Sequence, residues 1–268
     1  MIGHFDITCA PGPDEETYVR QQNISAPWHL SKPYWNGTSL MVQAVNATAG
    51  IFAGDKLQLR TIIESDASVL MTSPSASRIH TMPHGEATLE QDIHVASGGW
   101  LEWMPELFIP QQKAKYSQTT SIGIECGGGL YFVESIAPGR VAHGESFLYD
   151  RIRWRTQVRL GSHLILAENY DLDPATDSIR DLKRNNASDY FASALIVMPA
   201  PIAWKDRQQS IHALGSESLR IGATQLAESA YLTRIIAQDS ITLKESLANL
   251  RSLLSDDLAI LRTNARKL

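Results

Sequence analysis

Apolar and polar side chains alternate with a period of two between Leu40 and Leu172, and no other feature of the chain limits its fold as much. Short alternating runs broken by Gly, Pro, Asp and Ser are typical of half-buried strands. Three runs have one mostly apolar face: Leu57, Leu59, Thr61 and Ile63; Leu89, Gln91, Ile93 and Val95; and Ile152, Trp154, Thr156 and Val158. Four more have strand length: Val69 to Thr72, Trp100 to Met104, Leu130 to Ile136 and His163 to Glu168. Strands are therefore expected to dominate this part of the chain. The runs do not recur at a fixed period, so the sequence does not predict a regular solenoid.

The C-terminal third has a different pattern, in which strands and helices are mixed. Leu195 to Met198 predicts a buried strand, and Trp204 to Leu214 predicts a helix closed by Gly215. Leu219 to Gln225 and Ala230 to Ile236 fit a closing hairpin, with a helix over the second run as the alternative.

The last predicted element is a helix from about Ser240 to Arg262. Four leucines recur at the spacing of one helical face: Leu243, Leu247, Leu250 and Leu254. Thr242 and Glu245 have the spacing of a capping box at its start. The leucine face is expected to pack on the core of the protein.

The length of 268 residues allows a large core, and we expect one domain over residues 1–268. Its β-rich part is predicted over 26–172 and a mixed α/β closing region over 190–268. Between them, Pro174 to Ala187 is polar and lacks a period, which predicts a long loop.

Charge and cysteine usage exclude several classes of partner. The formal net charge is -5, and the 24 basic residues are scattered, so nucleic acid is not an expected partner. Cys9 and Cys126 lack a CxxC spacing, which favours a reducing compartment. No stretch has the apolar length of a membrane span, and the first residues lack the pattern of a signal peptide. These features predict a cytoplasmic protein.

Motifs of known catalytic sites are absent from the sequence, including the P-loop, GxSxG and HExxH. His80 and His84 have the spacing of a helical metal-ligand pair, but Pro83 and Gly85 indicate a loop, so we expect no metal site there.

Three acidic residues lie within or beside apolar strands, where a carboxylate is costly unless it is paired, hydrated or used. Asp55 follows Gly54 at a predicted turn, where the commoner role of Asp is to accept from nearby amides. Glu134 and Glu168 each end an apolar run, and an outward position or a salt bridge to an arginine is the structural alternative to a functional role for both.

Five segments, in order, resemble the urease accessory proteins of the UreD/UreH family. They are APWHLSKPYW (26–35), AGIFAGDKL (49–57), TSPSASRIH (72–80), GGWLEWMPE (98–106) and IAPGRVAHGESF (136–147). Departures from the family pattern are Ala49 and Ala53 in the turn, Ser75 in place of a glycine, and Glu134 where some relatives have Asp.

The resemblance implies a mainly β, irregular superhelical sheet with about two helices in the C-terminal third. It also implies a non-catalytic scaffold that binds UreF, recruits the GTPase UreG through it, and docks on apo-urease. The resemblance further implies that UreG releases nickel on GTP hydrolysis and that a water-filled tunnel through the accessory proteins carries the ion toward urease. No cofactor is expected to be bound stably, and Ni²⁺ is expected only in transit.

Matching the family motifs residue by residue assigns the nickel conduit to Asp55, Ser77, Glu134 and Glu168. The turn places Asp55, the TSPSAS segment places Ser77, and the two strand-ending acids are Glu134 and Glu168. Oxygen ligands of this kind would hold a divalent ion weakly enough to release it.

Two rival functions remain at this point. One is an all-β hydrolase or lyase that acts on polysaccharide through two of the same carboxylates, with Trp100, Trp103 and Trp154 as a sugar platform. Sheet packing is the expected role of those tryptophans. The other rival is an interaction module without metal contact.

Overall fold

The computed structural model describes residues 1–176, 190–202 and 204–262, which form mostly strands. The strands of the N-terminal half are β1 Ile2–Pro11, β2 Thr17–Ile24, β3 Trp28–Leu30, β4 Tyr34–Asn36, β5 Ser39–Asn46, β6 Lys56–Ile63, β7 Ser68–Thr72, β8 Ser77–Ile79, β9 Ala87–Val95, β10 Trp100–Met104, β11 Phe108–Pro110 and β12 Lys115–Ile124. The remaining elements are β13 Gly129–Ile136, a 3₁₀ helix Val141–His143, β14 Arg151–Leu160, β15 His163–Leu172, β16 Tyr190–Val197, α1 Trp204–His212, β17 Leu219–Ala227, β18 Ala230–Ala237, α2 Ser240–Leu254 and a 3₁₀ helix Ala259–Arg262.

The middle of the chain coils between two facing sheets. One sheet has the order β15-β14-β12-β9-β6-β1-β2, and the other has β17-β18-β16-β13-β10-β7-β5-β3. From β5 to β14 the long strands alternate between the sheets, so that β6, β9, β12 and β14 pair in parallel in one, and β5, β7, β10 and β13 in the other. The result is a β-solenoid-like, irregular arrangement, and the predicted mainly β superhelical fold is confirmed.

Alternation along each strand directs the apolar face into the space between the sheets. In β6, Leu57, Leu59, Thr61 and Ile63 are buried, and β9 and β14 show the same pattern. The predicted inward faces of all three runs are therefore confirmed. The arginines on the opposite face of β14 are exposed or half-buried. This inter-sheet space holds the larger of the two apolar clusters.

Successive turns of the coil bend at equivalent corners that need a left-handed residue. The three corners carry Asp66, Gly98 and Gly127, with φ of 64°, 76° and 88°. A Cβ atom on Gly98 would lie 2.4 Å from Oδ1 of Asp66 on the neighbouring turn. Glycine at this corner therefore allows both the left-handed backbone and the close stacking of the coil.

Strands begin at Ile2, well before the predicted start of the β-rich part at residue 26. β1 runs parallel to β6 and antiparallel to β2, with Phe5, Ile7 and Cys9 buried against the core. The alternation of these three residues with polar neighbours is the signal that would have predicted this strand.

The closing region extends the second sheet and covers its outer face. β16 is longer than the predicted strand at Leu195, and β17 pairs with β18 as the predicted hairpin, so the helix alternative for the second run was wrong. Helix α1 ends at His212, two residues before the predicted end. Trp204 of α1 stacks on Tyr231, with ring centroids 4.0 Å apart, in the second apolar cluster.

No helix of the described residues is long and apolar enough to cross a membrane. Most of the predicted loop from Pro174 to Ala187 lies outside the described residues.

The last helix begins at Ser240 as predicted, but its C-terminal end and its N-cap residue differ from the prediction. Helix α2 stops at Leu254, and Ala259–Arg262 forms a separate 3₁₀ helix. Two acidic residues, Asp256 and Asp257, follow the helix, where negative charge opposes the helix dipole. The cap is Asp239 rather than Thr242, because its backbone is extended and its carboxylate accepts hydrogen bonds from two backbone N–H groups of the first turn.

The replacement Asp239→Ala is expected to lower the midpoint of thermal unfolding by about 2 to 4 °C, the effect of losing one helix cap in a chain of this size. Glu245→Ala is the matched control, since Glu245 is exposed and would matter only in the predicted capping box. Thermal unfolding followed by circular dichroism compares the two. An equal fall of the unfolding midpoint in both variants would support the predicted capping box of Thr242 and Glu245 and contradict Asp239 as the cap.

Candidate functional site

A cavity of about 310 Å³ lies between the two sheets. Its outer wall is formed by residues 48–51 after β5 and by the SPSASR segment around β8. Its inner wall is formed by side chains of both sheets, namely Leu59, Leu89, Gln91, Trp103, Gln118, Glu134 and Trp154. Polar groups are thus brought into the centre of an otherwise apolar core.

Glu134 of β13 is half-buried, points into the space between the sheets and borders the cavity. Its Oε1 accepts hydrogen bonds from Trp154 Nε1 at 2.7 Å and from Gln118 Nε2 at 2.8 Å. Its Oε2 accepts from Thr156 Oγ1 at 3.1 Å. All three donors are neutral and come from the facing sheet, so the carboxylate spans the inter-sheet space.

Burial raises the pKa of Glu134 to about 7 because the charged form loses its hydration. Hydrogen bonds from Trp154 and Thr156 act in the opposite direction, and the negative charge of Glu168 raises the pKa further. Near neutral pH this carboxyl group is therefore poised between its two protonation states.

Glu168 of β15 is buried at the end of the same inter-sheet space, with 7% of its side chain exposed. It forms an ion pair with Arg234 of β18, and Tyr170 donates a hydrogen bond to its Oε1 at 3.3 Å. The salt bridge that the sequence left open for Glu168 is thus present. Glu168 does not border the cavity.

Polar side chains on the inner face of the first sheet form one row in register. Gln91 of β9 lies opposite Thr120 of β12, Thr120 opposite Thr156 of β14, and Thr156 opposite Glu168. Gln91 Nε2 donates to Thr120 Oγ1 at 3.1 Å. Because residues paired across strands point to the same face, the row leads from the cavity past Glu134 to Glu168.

The alternating pattern predicts Gln91 and Thr156 on buried strand faces but gives neither a functional role. Gln118 and Thr120 were not predicted as site residues. Polar residues at inward positions of alternating strands are the signal that could have found all four.

Ser77 of β8 borders the cavity at its outer wall, as does Ser75 beside it. Ser77 and Glu134 therefore face one space, although they belong to different strands. The structure brings these two of the four predicted conduit residues together.

Asp55 does not border the cavity and instead fixes the turn that forms part of its wall. Its Oδ2 accepts from the backbone N–H of Phe52 at 2.8 Å, and its Oδ1 accepts from the amino group of Met1 at 2.6 Å. The predicted role of Asp55, accepting a hydrogen bond from a nearby backbone amide, is present.

In the same turn Gly50 has a φ of 147°, and a Cβ there would lie 2.3 Å from the carbonyl oxygen of Arg78. Only glycine fits this approach.

The histidine pair of the sequence does not form a metal site. Both ring nitrogens of His80 are hydrogen bonded, Nε2 to the carbonyl of Ala49 at 3.0 Å and Nδ1 to the amide of Gln111 at 3.2 Å. The ring stacks on Phe52, with centroids 4.3 Å apart. Within residues 1–176, 190–202 and 204–262, no three His, Cys, Asp or Glu side chains gather as a closed metal site.

The three tryptophans of the polysaccharide hypothesis are core residues. Trp100, Trp103 and Trp154 are 5%, 4% and 6% exposed. None of them can present a ring to a glycan on the surface, as sheet packing had predicted.

Comparison with known proteins places the chain in a family. The model of the UreD urease accessory protein family matches residues 2–267. A urease accessory protein UreD of Opitutus terrae is 35% identical over 271 residues, which cover all of this chain and 99% of that relative. A urease accessory protein UreH of Helicobacter pylori is 23% identical over 243 residues, which cover 89% of this chain and 91% of that relative. The relatives are named accessory proteins rather than enzymes, in agreement with the predicted non-enzymatic role. The chain belongs to the UreD family of urease accessory proteins.

Proposed function

We propose that this chain is a non-catalytic scaffold of urease maturation through which nickel passes on its way to apo-urease. The observation that carries the proposal is Glu134, a half-buried carboxylate that borders the cavity and accepts hydrogen bonds from three neutral donors of the facing sheet. Membership of the UreD family supports the role in urease maturation.

The chemistry of the cavity suits passage better than storage. A volume of about 310 Å³ has room for roughly ten water molecules at their liquid volume. Divalent nickel in such a space could keep part of its hydration while it exchanges water for carboxylate oxygen. A single carboxylate with amide and hydroxyl neighbours holds an ion far more weakly than a closed set of three or four ligands.

The route we propose begins at Ser77 on the outer wall, reaches Glu134, and follows the polar row through Thr156 to Glu168. Asp55 contributes at the entrance by holding the turn whose Gly50 and Ile51 line the cavity. This order uses each of the four residues assigned from the sequence. No stably bound cofactor is part of the proposal, and nickel is cargo.

The partners of the proposal are UreF, the GTPase UreG recruited through UreF, and the urease apoprotein. Their assignment rests on the family and not on any surface of this chain. GTP hydrolysis by UreG would release the ion, and the internal route would keep it away from competing ligands in the cytoplasm.

The test is a variant with both Glu134→Ala and Glu168→Ala, co-expressed with urease and its other accessory proteins. We expect the variant to co-purify with UreF and urease while the nickel content of urease falls by at least about tenfold, the scale of losing metal-site ligands or their supports. Nickel is measured by plasma mass spectrometry on purified urease.

Glu90→Ala with Asp92→Ala is the matched control, since it removes two carboxylates from the exposed face of β9. Full nickel loading of urease with the Glu134 and Glu168 variant would overturn the conduit and leave the interaction module as the function. Thermal unfolding of each variant shows that the loss does not come from a failure to fold.

A further inference from the structure

The far end of the internal route is covered by one positively charged side chain. Glu134 and Trp154 line the cavity, and the next carboxylate along the polar row, Glu168, forms an ion pair with the guanidinium of Arg234. We propose that Arg234 is an electrostatic gate, which keeps Glu168 unavailable to a divalent cation until the guanidinium moves aside. The inference rests on the proposed function and adds a specific gating residue to that site.

Strand register places Arg234 on the face that looks into the route. Glu134 of β13 lies opposite Ser193 of β16, and Ser193 lies opposite Arg234 of β18. These antiparallel partners point to the same side of the second sheet. Arg234 therefore approaches Glu168 from the second sheet, and their ion pair bridges the two sheets where the polar row ends.

The guanidinium is held by few contacts. It lies over the rings of Tyr170 and Phe191, 5.5 and 5.8 Å from their centroids. Its Nη1 is buried and has no hydrogen-bond acceptor among the described residues. A buried donor without an acceptor costs free energy, so the closed position is only partly satisfied. About a third of the side chain, 35%, is exposed, which leaves a direction in which it can move.

The charges of this region explain why the gate acts on cations. With Arg234 in place, Glu168 is neutralised and a positive charge lies beyond Glu134 in the direction of travel. A divalent ion held by Glu134 and Glu168 together would be neutralised only without the guanidinium. The ion and Arg234 therefore compete for Glu168. This competition is stronger than in bulk water, because the dielectric constant between the sheets is lower.

The test is a calorimetric titration of the purified full chain with Ni²⁺ alone. Arg234→Met is expected to raise the affinity for Ni²⁺ by about tenfold, because one nearby positive charge is removed. Arg234→Lys, which keeps the charge, is expected to bind with nearly the affinity of the parent chain. Adding Glu134→Gln to Arg234→Met is expected to abolish the gain.

Arg153→Met is the matched control, because Arg153 is exposed to the same degree and pairs with Glu86 on the outer face of β14. It removes the same charge without touching the route. Should the methionine variant unfold, Arg234→Gln replaces it, since its amide can still donate to Glu168.

The outcomes separate the gate from the conduit. Equal Ni²⁺ affinity in the parent chain and in Arg234→Met or Arg234→Gln overturns the gate, and so does an equal gain in Arg153→Met. The conduit itself is judged by urease loading in the variant that lacks Glu134 and Glu168. If that loading is lost while the Arg234 variants behave like the parent chain, the conduit stands and the gate is wrong.

Discussion

The replacement Arg251→Met is expected to lower the free energy of unfolding by about 3 to 5 kcal/mol, the cost of breaking a buried ion pair from one side. Glu102 of β10 is 1% exposed. Its carboxylate accepts hydrogen bonds from Nε and Nη2 of Arg251, the second at 3.0 Å. Burial raises the pKa of Glu102, and the contacts with Arg251 oppose that shift. Without Arg251 the carboxylate would remain under α2 with its charge uncompensated.

Urea unfolding at pH 7 measures this loss. Arg60→Met is the control, because Arg60 and Asp92 form an exposed pair at 3.9 Å that contributes less than about 0.5 kcal/mol. The double variant Glu102→Leu with Arg251→Met is expected to recover most of the stability, since no buried charge remains. A loss no larger than that of the control would show that this pair does not anchor α2 to the second sheet.

The replacement Glu134→Gln is expected to stabilise the chain by about 2 to 3 kcal/mol at pH 8 and to leave its stability unchanged at pH 4. Below pH 4.5 the carboxyl group is protonated in both the folded and the unfolded chain. Between pH 4.5 and about 7 it ionises first in the unfolded chain, so the folded state loses stability as the pH rises. The rise of the pKa from 4.5 to about 7 sets an upper limit of about 3.4 kcal/mol, and the partial exposure of the side chain reduces the expected effect.

Glutamine fits the hydrogen bonds of this position. Its carbonyl oxygen can accept from Trp154 and Gln118, and its amide can donate to the hydroxyl of Thr156. The midpoint of thermal unfolding, measured from pH 4 to pH 8, is compared with that of Glu90→Gln on the exposed face of β9. A parallel pH dependence in the parent chain and in Glu134→Gln would show that Glu134 ionises in the folded state as it does in water.

A stabilising effect of Glu134→Gln together with a loss of nickel delivery would identify the carboxylate as functional. Evolution of a purely structural core would favour the neutral group, because an ionised carboxylate in this position costs stability. An acid that costs stability is expected where its charge is used.

Local pattern was enough to predict the strands and the direction of their side chains. The burial of Leu57, Leu59 and Ile63 follows from alternation alone, because successive residues of any strand point to opposite faces. Glycine at the turn after β5 was likewise predictable from its position, and family motifs selected Ser77 and Glu134. Helix ends were predicted less well, since Asp239 and Thr242 are both acceptable caps and backbone geometry decides between them.

What the tertiary structure alone decided is which inward polar groups meet. The alternation places Gln118, Glu134 and Trp154 on inner faces, but nothing local states that they lie on facing sheets at one depth, within hydrogen-bond distance. The pairing of Glu168 with Arg234 joins the edge strand of one sheet to β18 of the other across 66 positions of the chain. Such meetings depend on strand order and register between distant segments, which packing of the whole core determines. The sequence by itself determined a mainly β scaffold with acidic groups at strand ends, and the fold decided that two of these acids face the same space between the sheets.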